Sequence, residues 1–321
     1  MDADYLIERR VLRKRITFWR IVAFLVAIGG LVATGIYMGG GSEIERQQAH
    51  IARLHISGLI TGDQATIDTL EDISESHAKA ALIVIDSPGG TVTGSEALFD
   101  ALRKLSAKKP TVALVNGLAA SGGYIAALGT DHIVARRTSV VGSIGVLFQY
   151  PDVVKLLDSW GVKVESIKSS PLKASPSPVE PTSAEARAAI ASVVDSNFNW
   201  FKELVRDRRG LTAEELQMVA DGRIFAGDQA LPLKLIDQIG AEEQGLEWLS
   251  KEKGIDQTTR ILDWKIKPRD NFFGLADAAA LGARIAGFET VAMSIDQAAQ
   301  AQKKLSLDGV LVLWHPSLDI Q

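Results

Sequence analysis

An uncharged segment from Ile21 to Ser42 constrains this chain more than any other feature of its sequence. Its first part, Ile21–Met38, is apolar almost throughout and has the length that a membrane-spanning helix requires. Trp19 and Tyr37 flank it, and in a helix they would lie about 27 Å apart, close to the thickness of the hydrocarbon layer. No polar face interrupts the run, which argues against a buried core helix. We therefore predict a transmembrane anchor over residues 21–42.

The distribution of charge predicts how this anchor is oriented. Residues 1–20 carry a net charge of +3, whereas the rest of the chain carries −7 and the whole chain −4. Because basic segments stay in the cytoplasm, we expect residues 1–20 there and the chain after Gly39 across the membrane. A cleaved signal peptide is the alternative, since Ala33 and Gly35 form a small-x-small pattern. The apolar core of such peptides is only about 7–15 residues long, which favours the uncleaved anchor.

Composition excludes several classes of protein. A chain with 46% hydrophobic and 23% charged residues is typical of a folded protein. The net charge of −4 gives no reason to expect nucleic-acid binding, and the absence of cysteine excludes disulfides, thiolate zinc sites and cysteine nucleophiles. The sequence contains no Walker loop, no Gly-x-Gly-x-x-Gly after a strand and no His-Glu-x-x-His motif. We therefore predict no cofactor and no metal.

Strands and helices alternate after the anchor, which predicts an α/β domain. The predicted strands are 51–56, 81–85, 111–115, 133–135, 162–167, 259–264 and 309–313. The predicted helices are 66–76, 95–105, 121–128, 151–160, one from a Thr182–Glu185 capping box to Gly210, and 276–304. Four prolines predict a loop over residues 168–181.

Two glycine-rich junctions, Asp86–Gly90 and Ala119–Gly123, follow buried strands. Open α/β sheets bind ligands at such strand ends, and glycine there allows a ligand to approach backbone N–H groups. Ser121 lies in the second junction, near the first turn of a helix. A serine among N–H donors is the arrangement that acyl transfer needs, a nucleophile beside an oxyanion hole. The alternative is that both junctions are only tight turns.

A nucleophilic serine needs a base, and a lysine is the candidate. None of the histidines has a carboxylate at a spacing that indicates a triad; they are His50, His55, His77, His132 and His315. A lysine acts as a base near neutral pH only when it is buried among apolar groups or lies near other cations, and Lys173 lies in an apolar patch of the proline-rich loop. Ser170 and Lys173 also match a Ser-x-x-Lys signature, but the surrounding prolines disfavour the helix that this signature needs. We therefore do not expect Ser170 to be the nucleophile.

Six blocks of sequence, in this order, resemble a known protease family. The blocks are Asp86–Gly90, Asn116–Tyr124, Val141–Val146, the loop with Lys173, Asp221–Gly227 and Leu235–Gly240. From about Ile51 to Gly240 the chain is similar to signal peptide peptidase A, short form, a family of membrane-anchored serine proteases. The resemblance implies an α/β fold, the Clp/crotonase-like spiral of ββα units, preceded by one transmembrane helix. It also implies ring-like homo-oligomers in which serine and lysine can come from different subunits.

The same resemblance implies a role for individual residues. Ser121 corresponds to the nucleophile and Lys173 to the general base of a Ser–Lys dyad. The oxyanion hole corresponds to the backbone N–H groups of Gly122 and Gly90, with Gly89 as the alternative to Gly90. Many members have a glycine and then a tyrosine shortly before the lysine, whereas this chain has Ser170-Pro171-Leu172 there.

The implied function is that of an endopeptidase that degrades cleaved signal peptides and other apolar peptides in the cell envelope. Its partners would be peptides, the membrane and further copies of the chain, with no nucleic acid. We expect the bacterial inner membrane as its location, with the catalytic domain on the periplasmic side. The expected division is a tail (1–20), an anchor (21–42), a protease domain (43–255) and a C-terminal extension (256–321). The alternatives are a crotonase-like acyl-CoA hydratase or isomerase, and a non-catalytic membrane scaffold of the same fold.

Overall fold

The structure is a computed structural model that describes residues 46–266, strand residues 311–313 and positions 15, 17–23, 25, 26, 29 and 293. The chain divides into two units, residues 1–49 and residues 50–321. In the first unit the described positions between 15 and 29 are helical. Within the described positions, no helix has both the length and the hydropathy of a membrane span. Most of the predicted anchor, residues 21–42, lies outside the described residues.

The second unit contains a mixed sheet, which in the described residues has nine strands. The strands are β1 (His50–Ile60), β2 (Ala78–Thr91), β3 (Thr111–Ala120), β4 (His132–Ala135), β5 (Val140–Gly142), β6 (Ile224–Ala226), β7 (Gln238–Ile239), β8 (Ile261–Trp264) and β9 (Leu311–Leu313). Their order is β6-β5-β3-β2-β1-β8, with β4 between β3 and β7, and β9 beside β2. Strand pairs are parallel except β5–β6 and β2–β9.

Helices follow most of the strands, which confirms the predicted α/β class. They are α1 (Gln64–Glu75), α2 (Val92–Lys108), α3 (Gly122–Leu128), α4 (Val154–Ser159), α5 (Ala184–Arg209), α6 (Ala213–Val219), α7 (Gly227–Ala230) and α8 (Glu242–Lys253). Side-chain caps begin the first two: Asp63 accepts the Thr66 N–H at 2.9 Å, and Thr91 accepts the Gly94 N–H at 3.1 Å. Gly210 ends α5 in the left-handed conformation, as the sequence predicts.

The wholly apolar run of β2 is explained by helices on both faces of the sheet. Successive side chains of a strand point to opposite faces. Ile83 and Ile85 therefore belong to the core on the face of α2 and α3, whereas Leu82 and Val84 pack in a second core with Leu249 of α8. A strand covered on both sides needs no polar positions.

The predicted strand 162–167 is wrong. These residues form no strand, and Val162, Val164 and Ile167 are 45%, 44% and 106% exposed. A strand is stabilised by a neighbouring backbone, and no other described segment pairs with this one. The valines thus alternate as in a strand, but no neighbouring strand pairs with them in the described part of the chain.

The predicted cap of α5 is displaced by one residue. Ser183, not Thr182, accepts the N–H of Ala186, at 3.1 Å. The Thr182 hydroxyl instead makes a hydrogen bond with the Tyr150 hydroxyl, at 2.7 Å. Two adjacent hydroxyl residues offer the helix alternative caps, and a tertiary contact selects between them.

Several predicted boundaries change. The glycine-rich junctions were expected to end β2 and β3, but β2 runs through Pro88 to Thr91 because β1 and β9 pair with its last residues. The last predicted strand is confirmed at Leu311–Leu313. The predicted helix 276–304 lies outside the described residues, apart from position 293.

A substitution at Leu102 tests the core between α2 and the sheet. Leu102 is fully buried, so Leu102→Ala leaves a cavity and should lower the free energy of unfolding by about 2–5 kcal/mol. Leu156 of α4 is 48% exposed, and Leu156→Ala should change it by no more than about 0.5 kcal/mol. Urea denaturation of both variants measures the difference. Equal effects would contradict the described core.

Candidate active site

Ser121 joins β3 to α3 in a backbone conformation that serine rarely adopts. Its φ is 54° and its ψ −115°, and the residue is 1% exposed. Its N–H donates to the Gly142 carbonyl at 2.8 Å, and its own carbonyl accepts the N–H groups of Tyr124 and Ile125. A residue held in a sparsely populated conformation by its surroundings indicates a functional constraint.

The two glycine-rich junctions meet next to Ser121. A Cβ at Gly122 would lie 3.1 Å from both the Gly90 nitrogen and the Gly89 Cα, and 2.3 Å from Ser95 Oγ. A side chain at position 122 would therefore collide with the Ser95 hydroxyl and press tightly on the backbone of Gly89 and Gly90. The sequence predicts each junction at the end of a buried strand, and the structure brings Gly90 and Gly122 of the two junctions together.

Gly89 and Gly90 differ in what their N–H groups do. The Gly89 N–H donates to Ser87 Oγ at 3.1 Å. The Gly90 nitrogen is the one that lies against Gly122. Of the two candidate donors, Gly90 is therefore better placed to act together with Gly122.

The edge of β2 beside this site carries another strand. Gly89, Gly90 and Thr91 pair antiparallel with Leu313, Val312 and Leu311 of β9. The backbone of β2 next to Ser121 thus accepts an extended segment as an antiparallel neighbour, here that of β9.

Two further sequence blocks, 141–146 and 221–227, help to hold Ser121 in place. β5 ends at Gly142, whose carbonyl holds Ser121, and β5 pairs antiparallel with β6. Ser143 follows with a φ of 52°, and its N–H donates to the Arg223 carbonyl at 2.8 Å. The blocks 141–146 and 221–227, which are distant in sequence, therefore form one structural unit that contacts Ser121.

Lys173 lies in the proline-rich loop, with an exposed side chain. Residues 171–174 form a turn, in which the Lys173 N–H donates to the Ser170 carbonyl at 3.1 Å. Ser170 and Lys173 do not share a helix, as the sequence predicts. In the described part of the chain, no hydrogen bond joins Lys173 to Ser121.

A histidine–carboxylate pair that the sequence did not indicate lies elsewhere. His132 Nδ1 is 3.8 Å from Asp237 Oδ2, and the imidazole stacks on Trp248 with 4.6 Å between ring centroids. Burial lowers the pKa of His132, and Asp237 opposes this shift. His132 pairs with Val112 at the start of β3, so Ser121, beyond the far end of that strand, is about 25–30 Å away at the rise of a strand. This pair therefore cannot serve Ser121 of the same chain.

Comparison with known proteins identifies the class to which this geometry belongs. The sequence profile of peptidase family S49 matches residues 103–256, and that of the Clp protease family matches residues 61–141. A Synechocystis sp. protein that bears a protease name is 36% identical over 215 residues, which are 66% of this chain and 78% of that protein. The chain belongs to peptidase family S49.

Other relatives specify the type of S49 peptidase. A protein of Enterococcus faecium named as signal peptide peptidase SppA is 31% identical over 230 residues, 67% of either chain. The chloroplastic serine protease SPPA of Arabidopsis thaliana is 31% identical over 227 residues, 70% of this chain and 33% of that protein. The S49 chain is an SppA-type serine protease of the Clp-like superfamily.

Ser87 and Ser95 are site-forming residues that the sequence reading missed. Both are fully buried; Ser87 binds the Gly89 N–H, and Ser95 contacts the position of Gly122. Ser87 could have been identified from its place in the Asp86–Gly90 junction, directly after a buried strand. Ser95 looked like an ordinary residue of a helix.

Replacement of Gly122 tests the close approach of the two junctions. Gly122→Ala puts a methyl group 2.3 Å from Ser95 Oγ and 3.1 Å from the Gly90 nitrogen, so the junctions must shift and we expect kcat for an apolar fluorogenic peptide to fall about 100-fold. Gly254→Ala is the control, because Gly254 ends α8 in open space. It should cost about 1 kcal/mol of stability and leave kcat unchanged. A folded Gly122→Ala enzyme with normal kcat would exclude this junction as the reaction site.

Proposed function

We propose that this S49 peptidase is a membrane-anchored endopeptidase with a Ser–Lys dyad, in which Ser121 is the nucleophile and Lys173 the general base. The observation that carries the proposal is the buried, positive-φ Ser121, whose neighbour Gly122 lies close to the backbone nitrogen of Gly90. A nucleophile and two converging donors are the parts needed to form and stabilise a tetrahedral intermediate.

The reaction proceeds in two halves. Neutral Lys173 takes the proton of Ser121 Oγ while that oxygen bonds to the peptide carbonyl carbon, and the carbonyl oxygen becomes an oxyanion that Gly90 and Gly122 N–H groups hold. Lys173 then gives its proton to the amine as the C–N bond breaks. Water, deprotonated by Lys173, attacks the acyl-enzyme, and Ser121 recovers its proton as the acid product leaves.

The substrate main chain lies along the edge of β2. The antiparallel pairing of β9 with Gly89–Thr91 supports this placement, because it uses the backbone groups that an extended peptide would use. Main-chain binding of this kind accepts many sequences, as an enzyme that degrades varied apolar peptides requires.

A homo-oligomer with a dyad shared between subunits is the second part of the proposal. Apolar side chains are exposed along residues 156–172: Trp160 by 70%, Ile167 by 106% and Leu172 by 47%. Exposed apolar stretches mark contact surfaces. This stretch overlaps the loop that carries Lys173. A neighbouring copy that covers it would bury Lys173, and burial lowers the pKa of a lysine as a general base requires.

The spiral architecture is proposed with the oligomer. β3 pairs with β4 through Val112–Val115 and with β5 through Leu118–Ala120, so its two halves have different neighbouring strands. This change of partner along one strand, within a single sheet, is the feature of the described residues that supports the Clp/crotonase-like spiral of ββα units.

The membrane-bound location rests on the sequence. The apolar run 21–38 and the basic tail 1–20 support a single-pass anchor in the bacterial inner membrane, with the protease domain 43–255 on the periplasmic side. An anchored peptidase meets apolar peptides at the membrane. Signal peptides that remain there after secretion are therefore the proposed substrates, as the name of the Enterococcus faecium relative also suggests.

Replacement of Ser121 tests the nucleophile. Ser121→Ala removes the attacking oxygen, so turnover of an apolar fluorogenic peptide should fall about a thousandfold or more, with folding and assembly unchanged. Ser170→Ala is the matched control, since Ser170 lies beside the lysine and contributes only its carbonyl to the turn. Normal turnover by Ser121→Ala would end the proposal.

Subunit mixing tests the base and its origin. Lys173→Ala should be inactive, whereas Lys163→Ala, at an exposed position of the same segment, should retain activity. Co-assembly of inactive Ser121→Ala and Lys173→Ala subunits should restore about a quarter of the wild-type rate, because random mixing pairs an intact serine with an intact lysine at that frequency across a heterologous interface. An active Lys173→Ala enzyme would identify another base, and an absence of recovery would place the dyad within one subunit.

A further inference from the structure

Ser87 occupies a point where the hydrogen-bond ladders of β2 are broken on both sides. On one side the pairing shifts between Ser57↔Asp86 and Leu59↔Gly89, and on the other between Ile85↔Val115 and Ser87↔Ala119. Irregular pairing leaves backbone groups without their regular ladder partners. Ser87 is fully buried there, so these groups depend on the protein for hydrogen bonds.

The Ser87 hydroxyl replaces the missing ladder bonds. It donates to the Gly58 carbonyl at 2.6 Å and accepts the Gly89 N–H at 3.1 Å. The direction of both bonds is determined, because a carbonyl can only accept and an N–H can only donate. One side chain thus bridges β1 and β2 at the irregularity.

The backbone of Ser87 also touches the other half of the proposed oxyanion hole. A Cβ at Gly123 would lie 2.6 Å from the Ser87 carbonyl oxygen and 3.3 Å from Ser87 Cβ. Gly123 follows Gly122, whereas Gly89, bound by the hydroxyl, precedes Gly90. Ser87 is therefore in contact with the neighbour of each proposed N–H donor.

The conformation of Gly89 makes its hydrogen bond consequential. Its φ is 107°, a conformation open to glycine, and the orientation of the adjoining peptide groups is set by the pairing with β1 and β9 together with the hydrogen bond to Ser87. The next N–H along the chain is that of Gly90. If the Gly90 N–H points away from the oxyanion, the stabilisation of the oxyanion falls more than the binding of a ground-state peptide.

We infer that Ser87 is a positioning residue, whose hydroxyl sets the direction of the Gly90 N–H and whose backbone sets its spacing from Gly122. The inference rests on the proposed function, because it assigns a role to Ser87 through the oxyanion hole of the Ser121 reaction. Ser87 itself touches neither the nucleophile nor the reacting atoms.

Ser139 provides a closely matched control. It is also buried, donates to the Val115 carbonyl at 2.6 Å and accepts the Arg136 N–H at 3.1 Å. Ser139→Ala therefore removes a hydroxyl with the same two kinds of hydrogen bond at the same distances. Ser87→Ala and Ser139→Ala should lower the melting temperature similarly, and they should differ only in catalysis.

The test compares binding in the ground state with binding in the transition state. In the full-length enzyme, Ser87→Ala should lower kcat about 10–100-fold with KM within about twofold, whereas Ser139→Ala should leave both unchanged. A peptide aldehyde, whose carbonyl oxygen becomes an oxyanion when Ser121 Oγ adds to it, should lose affinity for Ser87→Ala by the same factor as kcat/KM. Uncleaved peptide should bind Ser121→Ala and the double variant Ser87→Ala/Ser121→Ala equally. Ser87→Thr, which keeps the hydroxyl, should recover activity.

Each result has one meaning. If kcat of Ser87→Ala stays within twofold of that of Ser139→Ala, or if peptide and aldehyde lose affinity equally, the positioning role is excluded while Ser121 can still be the nucleophile. Activity in Ser121→Ala would instead reject the proposed function. If Ser87→Ala does not fold, Ser87→Cys replaces it throughout, because the thiol fills the same space with much weaker hydrogen bonds.

Discussion

The parallel pairing of β2 with β3 is the interaction on which the whole site depends. It runs in register from Ala81↔Thr111 to Ile85↔Val115, and both strands point in the same direction. Parallel neighbours end at one edge of the sheet, and here each ends in a glycine-rich segment. The approach of Gly90 to Gly122 is thus a consequence of strand order. The two-sided burial of β2 keeps this order, because a shift by one residue would exchange the side chains of its two cores.

The strained conformation of Ser121 persists because distant parts of the S49 chain hold it. Its N–H is bound by the Gly142 carbonyl at the end of β5, and the helix that follows is anchored through the hydroxyl of Tyr124, which donates to the Leu235 carbonyl at 2.7 Å. Burial raises the pKa of this tyrosine well above its usual range, so its hydroxyl stays a donor. Short blocks far apart in sequence therefore act together on one residue.

Local signals in the sequence predicted most of this molecule, and the errors have a common cause. Helical periodicity, Gly210 and the apolar runs of β2 and β3 identified their elements correctly, and both glycine-rich junctions follow buried strands as predicted. The strand 162–167, the cap at Thr182 and the ends of β2 were wrong, because partners distant in sequence decide them. Ser87 and the His132–Asp237 pair were missed for the same reason. In the described residues no hydrogen bond joins Lys173 to Ser121, so the role of Lys173 stays a prediction.

Strand β9 has a consequence for how substrates reach the enzyme. The edge formed by Gly89–Thr91 can pair with one strand at a time, and residues 311–313 occupy it in this chain. A peptide that binds along the same edge must compete with a segment tethered to the protein, whose effective concentration is on the order of millimolar. A peptide therefore displaces β9 only when it is abundant or binds tightly, and a dilute peptide does not displace it. Selectivity in such an enzyme depends partly on the local concentration of peptide near the active site.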